Sequence, residues 1–194
     1  DAYDVDVVID ATGRFLKRDE LSAHLDSGAK RVFISRNAVD TIDRYVIPGI
    51  NESSIKSSDQ IISTTSSTTQ VLALMVKMLD ESFGLNRAMM TTVHAYTADQ
   101  PLADAAGVDL RRSRSAVENI IPNTTLAPSI VENLMPQFSG KLDGIAFNVP
   151  VPNGSCVDLT TELENTPSVD EANDAIKSFS KGSLENIVGY TEDP

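Results

Sequence analysis

The order of elements in residues 1–65 constrains this chain most. Val5-Asp6-Val7-Val8-Ile9-Asp10 reads as a mostly buried strand ending at the turn Ala11-Thr12-Gly13. Glu20 to Leu25 carries helical spacing, and Gly28 makes a natural C-terminal cap. Arg31 to Ser35 is a second strand, and Tyr45 to Gly49 and Gln60 to Ser63 read as two more short ones. Strand, helix, strand with short links predicts a parallel sheet covered by helices.

The pattern changes after Ser67. Val71, Leu72, Leu74, Met75, Met78 and Leu79 make an apolar stripe on a helix of about 17 residues, stopped by Gly84. A long alternating strand follows from Arg87 to Thr97, then a polar stretch of about 24 residues without periodicity, a length usually reserved for functional loops. A short helix from Pro128 to Met135 precedes two strands, Gly144 to Val149 and Ser155 to Leu163. The turn between those strands holds Pro150, Pro152, Asn153 and Gly154, a hairpin-like signal. Val169 to Ser178 reads as a last helix. The change of pattern predicts two domains meeting near residue 65.

Composition excludes several partners. With 41% hydrophobic residues in 194, there is material for one or two cores. A net charge of −12 argues against nucleic acid or an anionic membrane as the main partner. No run approaches the roughly 20 apolar residues of a membrane span. Asp1-Ala2-Tyr3-Asp4-Val5 carries no basic leader and no cleavable apolar segment, so a soluble cytoplasmic protein is expected. The one cysteine rules out an internal disulfide, and the two histidines, His24 and His94, have no partner at a metal-ligand spacing, so no metal is expected. Cys156, in an alternating strand, reads as a small core residue.

Chemistry concentrates where a strand hands over to the stripe-bearing helix, at Ser63-Thr64-Thr65-Ser66-Ser67-Thr68-Thr69-Gln70. A helix start offers unpaired N–H groups and a positive dipole end, which suit an anion or a developing oxyanion. Ser67 with His94 is a hydroxyl–imidazole combination of the nucleophile–base kind. The plainer reading is helix capping, which stabilises by roughly 0.5–2 kcal/mol. Asn123-Thr124-Thr125 forms a second hydroxyl-rich helix approach, and Arg111, Arg112 and Arg114 add charge in the long loop. Together they point to a phosphorylated ligand, or else to a solvated or subunit-facing surface. No Gly-x-Gly-x-x-Gly occurs in the chain.

Ala11-Thr12-Gly13-Arg14-Phe15, Gly28-Ala29-Lys30-Arg31-Val32, Met90 to Thr97, Asn119-Ile120-Ile121-Pro122 and Gly189 to Asp193 together resemble the glyceraldehyde-3-phosphate dehydrogenase family. The resemblance runs over essentially the whole chain. It implies an α/β fold: the C-terminal part of a Rossmann-type NAD-binding domain over 1–65, without its first βαβ units, then an α+β catalytic domain over 66–194 that lacks its C-terminal end. The glycine fingerprint would belong to the part before residue 1. The resemblance further implies NAD as cofactor, a phosphorylated aldehyde and inorganic phosphate as substrates, and a homo-oligomer, the family's tetramer. Carried over by position, Ser67 stands at the nucleophile and His94 at its base. Thr12, Gly13, Phe15 and Ser35 would line the cofactor; Ser66, Thr68 and Thr125 one phosphate pocket, and Thr97 the other. The Arg111–Arg114 region resembles the loop lying between subunits.

The departures are as informative. The family's Ser-Cys-Thr-Thr-Asn-Cys reads Ser66-Ser67-Thr68-Thr69-Gln70-Val71 here, so serine replaces the nucleophilic cysteine. Asn148 stands where an arginine is expected, which removes a charged phosphate contact, and Leu126 where a glycine is expected. Gln70, Val71, Leu74, Leu126 and Asn148 depart together, as natural divergence does. A serine hydroxyl is far less acidic than a thiol of pKa about 8.5, and its ester is a poorer acyl donor than a thioester. Efficient phosphorylating activity is therefore expected to be lost. The alternative is a non-catalytic relative that keeps the fold for binding or subunit assembly.

Overall fold

A computed structural model describes residues 4–193. The chain divides into two compact units, one running to Met78 and resuming at Pro167, the other Leu79–Thr166.

The first unit contains β1 (Val7–Asp10), α1 (Arg18–Asp26), β2 (Arg31–Ile34), β3 (Arg44–Tyr45) and β4 (Ile61–Ser63). All pairings are parallel, in the order β1-β2-β4-β3, as the alternation predicts. Leu21 of α1 joins Val32, Ile34, Ile42 and Ile61 in one buried cluster. The strand expected over Tyr45–Gly49 shrinks to Arg44–Tyr45. Val46 N–H still reaches the Ser63 carbonyl at 2.8 Å, but Pro48 has no N–H to give and Gly49 turns the chain at φ +81°. A Cβ on Gly49 would stand 2.7 Å from Cδ2 of the fully buried Leu184. The last helix of the chain, Val169–Ser180, belongs to this unit and starts with a reciprocal Ser168–Glu171 capping box.

The stripe-bearing helix is α2 (Ser67–Phe83), 17 residues long, with Leu72, Ala73, Val76 and Met78 buried. Gly84, at φ +73°, ends it.

The second unit contains β5 (Leu85–Ala95), β6 (Ile121–Asn123), α3 (Ala127–Leu134), β7 (Leu142–Val149) and β8 (Ser155–Leu163). Its strand order is β6-β7-β5-β8, with β5 parallel to β7 and antiparallel to β8. The hairpin signal between β7 and β8 is thereby corrected: β5 lies between them. The proline-rich connection straddles the end of β5 and holds it, Ala95 N–H donating to the Gly154 carbonyl at 3.1 Å and Tyr96 N–H to Val151 at 3.3 Å. Cys156 is exposed, not in the core. It shares its strand face with Asp158, Thr160 and Glu162, all exposed, while Val157, Leu159 and Leu163 turn the other way. Residues 96–120 hold neither helix nor strand.

Candidate functional site

The parallel sheet of the first unit brings three of the sequence-predicted segments to one edge. Thr12-Gly13 follows β1, Ser35 follows β2, and Ser63 ends β4 with Thr64 to Ser67 after it, all at the C-terminal ends of neighbouring strands. Ligands of open α/β sheets bind at that edge. Asp10, nearly buried, closes the first turn by accepting the Thr12 hydroxyl at 2.7 Å and the Thr12 N–H at 2.9 Å, and it faces His24 Nε2 at 3.3 Å. Burial pushes the Asp10 carboxyl up, but the Thr12 hydrogen bonds and His24 outweigh it and hold the group below its ordinary value. Phe15 is 42% exposed and meets His24 edge-on at 6.4 Å. Ser35 is exposed, its N–H held by the Asp10 carbonyl at 3.2 Å.

Arg36 is a residue of this edge that sequence reasoning missed. Gly13 has φ +67°, and a Cβ there would lie 2.9 Å from Arg36 Nη1, so the guanidinium rests on the glycine backbone. The Arg36 carbonyl is anchored by the Ser63 hydroxyl at 2.7 Å. Only the missing side chain of Gly13 leaves that space, and no sequence motif announces it.

The turn into α2 is tightly built. Thr64 N–H donates to the Ile34 carbonyl at 3.0 Å, and Thr65, buried, takes the left-handed conformation at φ +64°. For a β-branched residue such a conformation costs on the order of 1–3 kcal/mol. The surroundings compensate: Thr65 N–H donates to Ser63 Oγ at 2.9 Å, and Gln70 Nε2 donates to the Thr64 carbonyl at 2.6 Å. Ser66 caps the helix, its Oγ accepting Thr69 N–H at 3.2 Å and lying 2.8 Å from Thr69 Oγ1. Thr68 is buried, and Ser67, the first helical residue, is exposed. Capping therefore falls to Ser66, which leaves the Ser67 side chain on the surface of the first turn.

His94 belongs to the second unit, near the C-terminal end of β5. Strand alternation puts it on the same face as Thr92, whose fully buried hydroxyl lies 2.7 Å from His94 Nε2. Burial depresses the imidazole below its ordinary value, which favours the neutral ring. Asn148, paired with His94 in the β5–β7 ladder, is buried between two neighbours. Its Nδ2 donates to the Ala95 carbonyl at 3.2 Å, and its Oδ1 accepts from Asn123 Nδ2 at 3.1 Å. An amide thus ties three strands together at the position where the family resemblance places an arginine.

The other sequence-predicted positions of this unit are engaged locally. The Thr97 hydroxyl donates to Asp99, which also pairs with Arg112. The Thr125 hydroxyl accepts Ala127 N–H at 3.2 Å, and Leu126, 62% exposed, stands at the start of α3. Arg114 pairs with Asp104 at 3.0 Å. A surface cavity of about 640 Å³, lined by Arg87, Met89, Lys141, Asp143 and Glu162, lies at the opposite end of β5 from His94. Among the described residues no three His, Cys, Asp or Glu side chains gather as a metal site, and no helix is long and apolar enough to cross a membrane.

A family model described as glyceraldehyde 3-phosphate dehydrogenase, C-terminal domain, matches residues 66–194. The glyceraldehyde-3-phosphate dehydrogenase of Mycobacterium tuberculosis is 46% identical over 98% of this chain and 56% of its own length. That of Geobacillus stearothermophilus is 46% identical over 98% of this chain and 57% of its own. Glyceraldehyde-3-phosphate dehydrogenase 2 of Streptomyces avermitilis is 45% identical over the same shares. The chain spans a little over half the length of these curated relatives.

Proposed function

We propose, because this chain belongs to the glyceraldehyde-3-phosphate dehydrogenase family, that it is part of an NAD-linked aldehyde oxidoreductase with serine at the reacting position. Residues 1–65 would be the remainder of the cofactor domain and 66–194 the catalytic domain; the start of the family match at residue 66 supports that boundary, whereas the compact units divide after Met78 and return the chain from Pro167 to the first. The names of the relatives support a phosphorylated aldehyde as substrate; inorganic phosphate as acyl acceptor and a cytoplasmic homotetramer as the working form are the further parts of this proposal and rest on the family resemblance alone.

The edge formed by Thr12, Gly13, Phe15 and Ser35 fits a dinucleotide. It lies at the C-terminal ends of parallel strands, and Phe15 and Ser35 are exposed there. When bound, the nicotinamide supplies a hydride acceptor. Gly13 seats the Arg36 guanidinium at this edge, Phe15 offers an apolar face, and the Asp10–Thr12 hydrogen bonds keep the turn rigid.

The observation that carries the proposal is Ser67 itself, exposed on the first turn of α2 behind a strained, hydrogen-bonded turn. Its hydroxyl attacks the aldehyde carbon, and its proton must pass to a base, the part given to His94. The hemiacetal oxygen gains from the helix N-terminus. Loss of hydride then leaves an oxygen ester, which phosphate cleaves poorly, so phosphorylating turnover is slow.

The second reading, a non-catalytic relative, is favoured by one observation: Asn148 is closed on Ala95 and Asn123 and offers no charge to a phosphate. Ser67→Cys in the full-length protein separates the readings. A catalytic member gains at least about tenfold in NADH formation from phosphorylated aldehydes, a change of about 1.4 kcal/mol in barrier. Absence of NAD binding together with no gain in the cysteine variant would sink the oxidoreductase reading.

A further inference from the structure

We infer that Thr92 is a positioning residue that fixes the tautomer of His94, holding Nε2 as a hydrogen-bond acceptor and leaving the ring proton on Nδ1. The inference starts from hydrogen-bond accounting. Thr92 is fully buried, and its hydroxyl has one proton and two acceptors within reach, His94 Nε2 at 2.7 Å and the Cys156 carbonyl at 3.5 Å. The first distance is that of a good hydrogen bond, and the second is at the outer limit. Were Nε2 to carry the proton and donate to Thr92, the hydroxyl proton would be left with only the distant carbonyl. A buried donor left unsatisfied is destabilising, and no water reaches a side chain so enclosed. The hydroxyl therefore donates to Nε2. A neutral imidazole has one donor nitrogen and one acceptor nitrogen, and the partner of one decides the state of the other.

The geometry around the ring makes this arrangement durable. Thr92 and His94 project from one face of β5, a central strand paired on both sides, with Thr92 opposite Val157 and His94 opposite Ser155. The next carbonyl, that of Ala95, is pinned by Asn148. Neither partner of the contact sits on a loop.

The consequence for chemistry rests on the proposed function. A ring whose acceptor nitrogen is already taken by a hydroxyl is a hydrogen-bond donor at rest. To act as a base through Nε2 it must first release Thr92. That is a second obstacle to turnover, independent of the change from sulfur to oxygen.

The test reads the tautomer directly and is indifferent to activity. With the full chain labelled with ¹⁵N at its two histidines, long-range proton–nitrogen correlation spectra distinguish protonated from unprotonated ring nitrogens. His94→Gln assigns the signals. The expected spectrum has an unprotonated Nε2 and a protonated Nδ1 for His94. Thr92→Ser retains it, whereas Thr92→Val loses the preference and the majority form becomes Nε2–H. A protonated Nε2 in the unmodified protein overturns the inference, as does an unchanged spectrum in Thr92→Val. If the valine variant does not fold, the unmodified and serine spectra still decide. Failure of the dehydrogenase assay with Ser67→Cys would count against the functional reading alone and leave this one standing.

Discussion

Gln70 Nε2 donates to the carbonyl of Thr64 at 2.6 Å, joining the first turn of α2 to the residue just before the left-handed Thr65. The contact spans the strained residue like a brace, and it uses a side chain long enough to reach back six positions. Gln70→Ala is expected to lower stability by about 1 kcal/mol, read as a lower urea midpoint at unchanged slope. An unchanged midpoint would mean the turn holds without its brace.

The Thr12–Asp10 contact predicts a pH effect. Asp10 has a lowered pKa in the folded chain, so it contributes stability above its unfolded value of about 3.9, and that contribution is lost as pH falls through the lower folded value. Thr12→Val removes the hydroxyl donor and brings the folded value up toward the unfolded one. The variant should be less stable at neutral pH and acid-unfold at a higher pH. The gap from the unmodified protein should close once both are protonated. Circular dichroism across an acid titration checks it, and a constant gap at every pH would refute it.

Asn148 joins β5, β6 and β7 through one side chain. Asn148→Ala leaves the half-buried Asn123 amide and Ala95 carbonyl each short of a partner. A loss of about 1–3 kcal/mol is expected, measured by chemical denaturation. Hydrogen exchange should quicken at the ends of β5 and β7 before it does in α3. Uniform quickening would argue that Asn148 serves only global packing.

Gly49→Ala meets two obstacles, a backbone at φ +81° and a buried Leu184 methyl 2.7 Å from the new carbon. Destabilisation of more than about 1 kcal/mol is expected. Leu184→Ala in the same chain should remove the tightest clash, leaving the conformational cost and the 3.3 Å approaches of Ile187 and Leu74, so a smaller penalty in that background is the informative result.

The parallel sheet and the 17-residue α2 were legible because both rest on periodicity, the strongest local signal. The helix start at Ser67 was legible from its hydroxyl run. β6 was not, because Ile121-Pro122-Asn123 has proline at its centre, and only an edge strand tolerates that. The hairpin signal between β7 and β8 misled because turn chemistry reports a reversal of the chain and says nothing about what lies between the strands. Cys156 was misread on residue type, although its alternation with Asp158 and Glu162 already gave its face. The Thr92–His94 contact and the seat of Arg36 on Gly13 depend on tertiary distances, which no spacing rule encodes.

The central place of β5 in its sheet bears on how the second unit comes into being. β5 emerges early in the unit, yet both its neighbours, β7 and β8, are the last strands made. Arg87 and Glu162, which meet across β5 and β8, are separated by 75 positions of chain. Such distant pairing must pay loop closure before it gains contacts, which makes assembly slow. Until residue 163 has left the ribosome, the strand that carries Thr92 and His94 has an open, adhesive flank. The Thr92–His94 contact is therefore flanked on both sides only once the whole unit is complete.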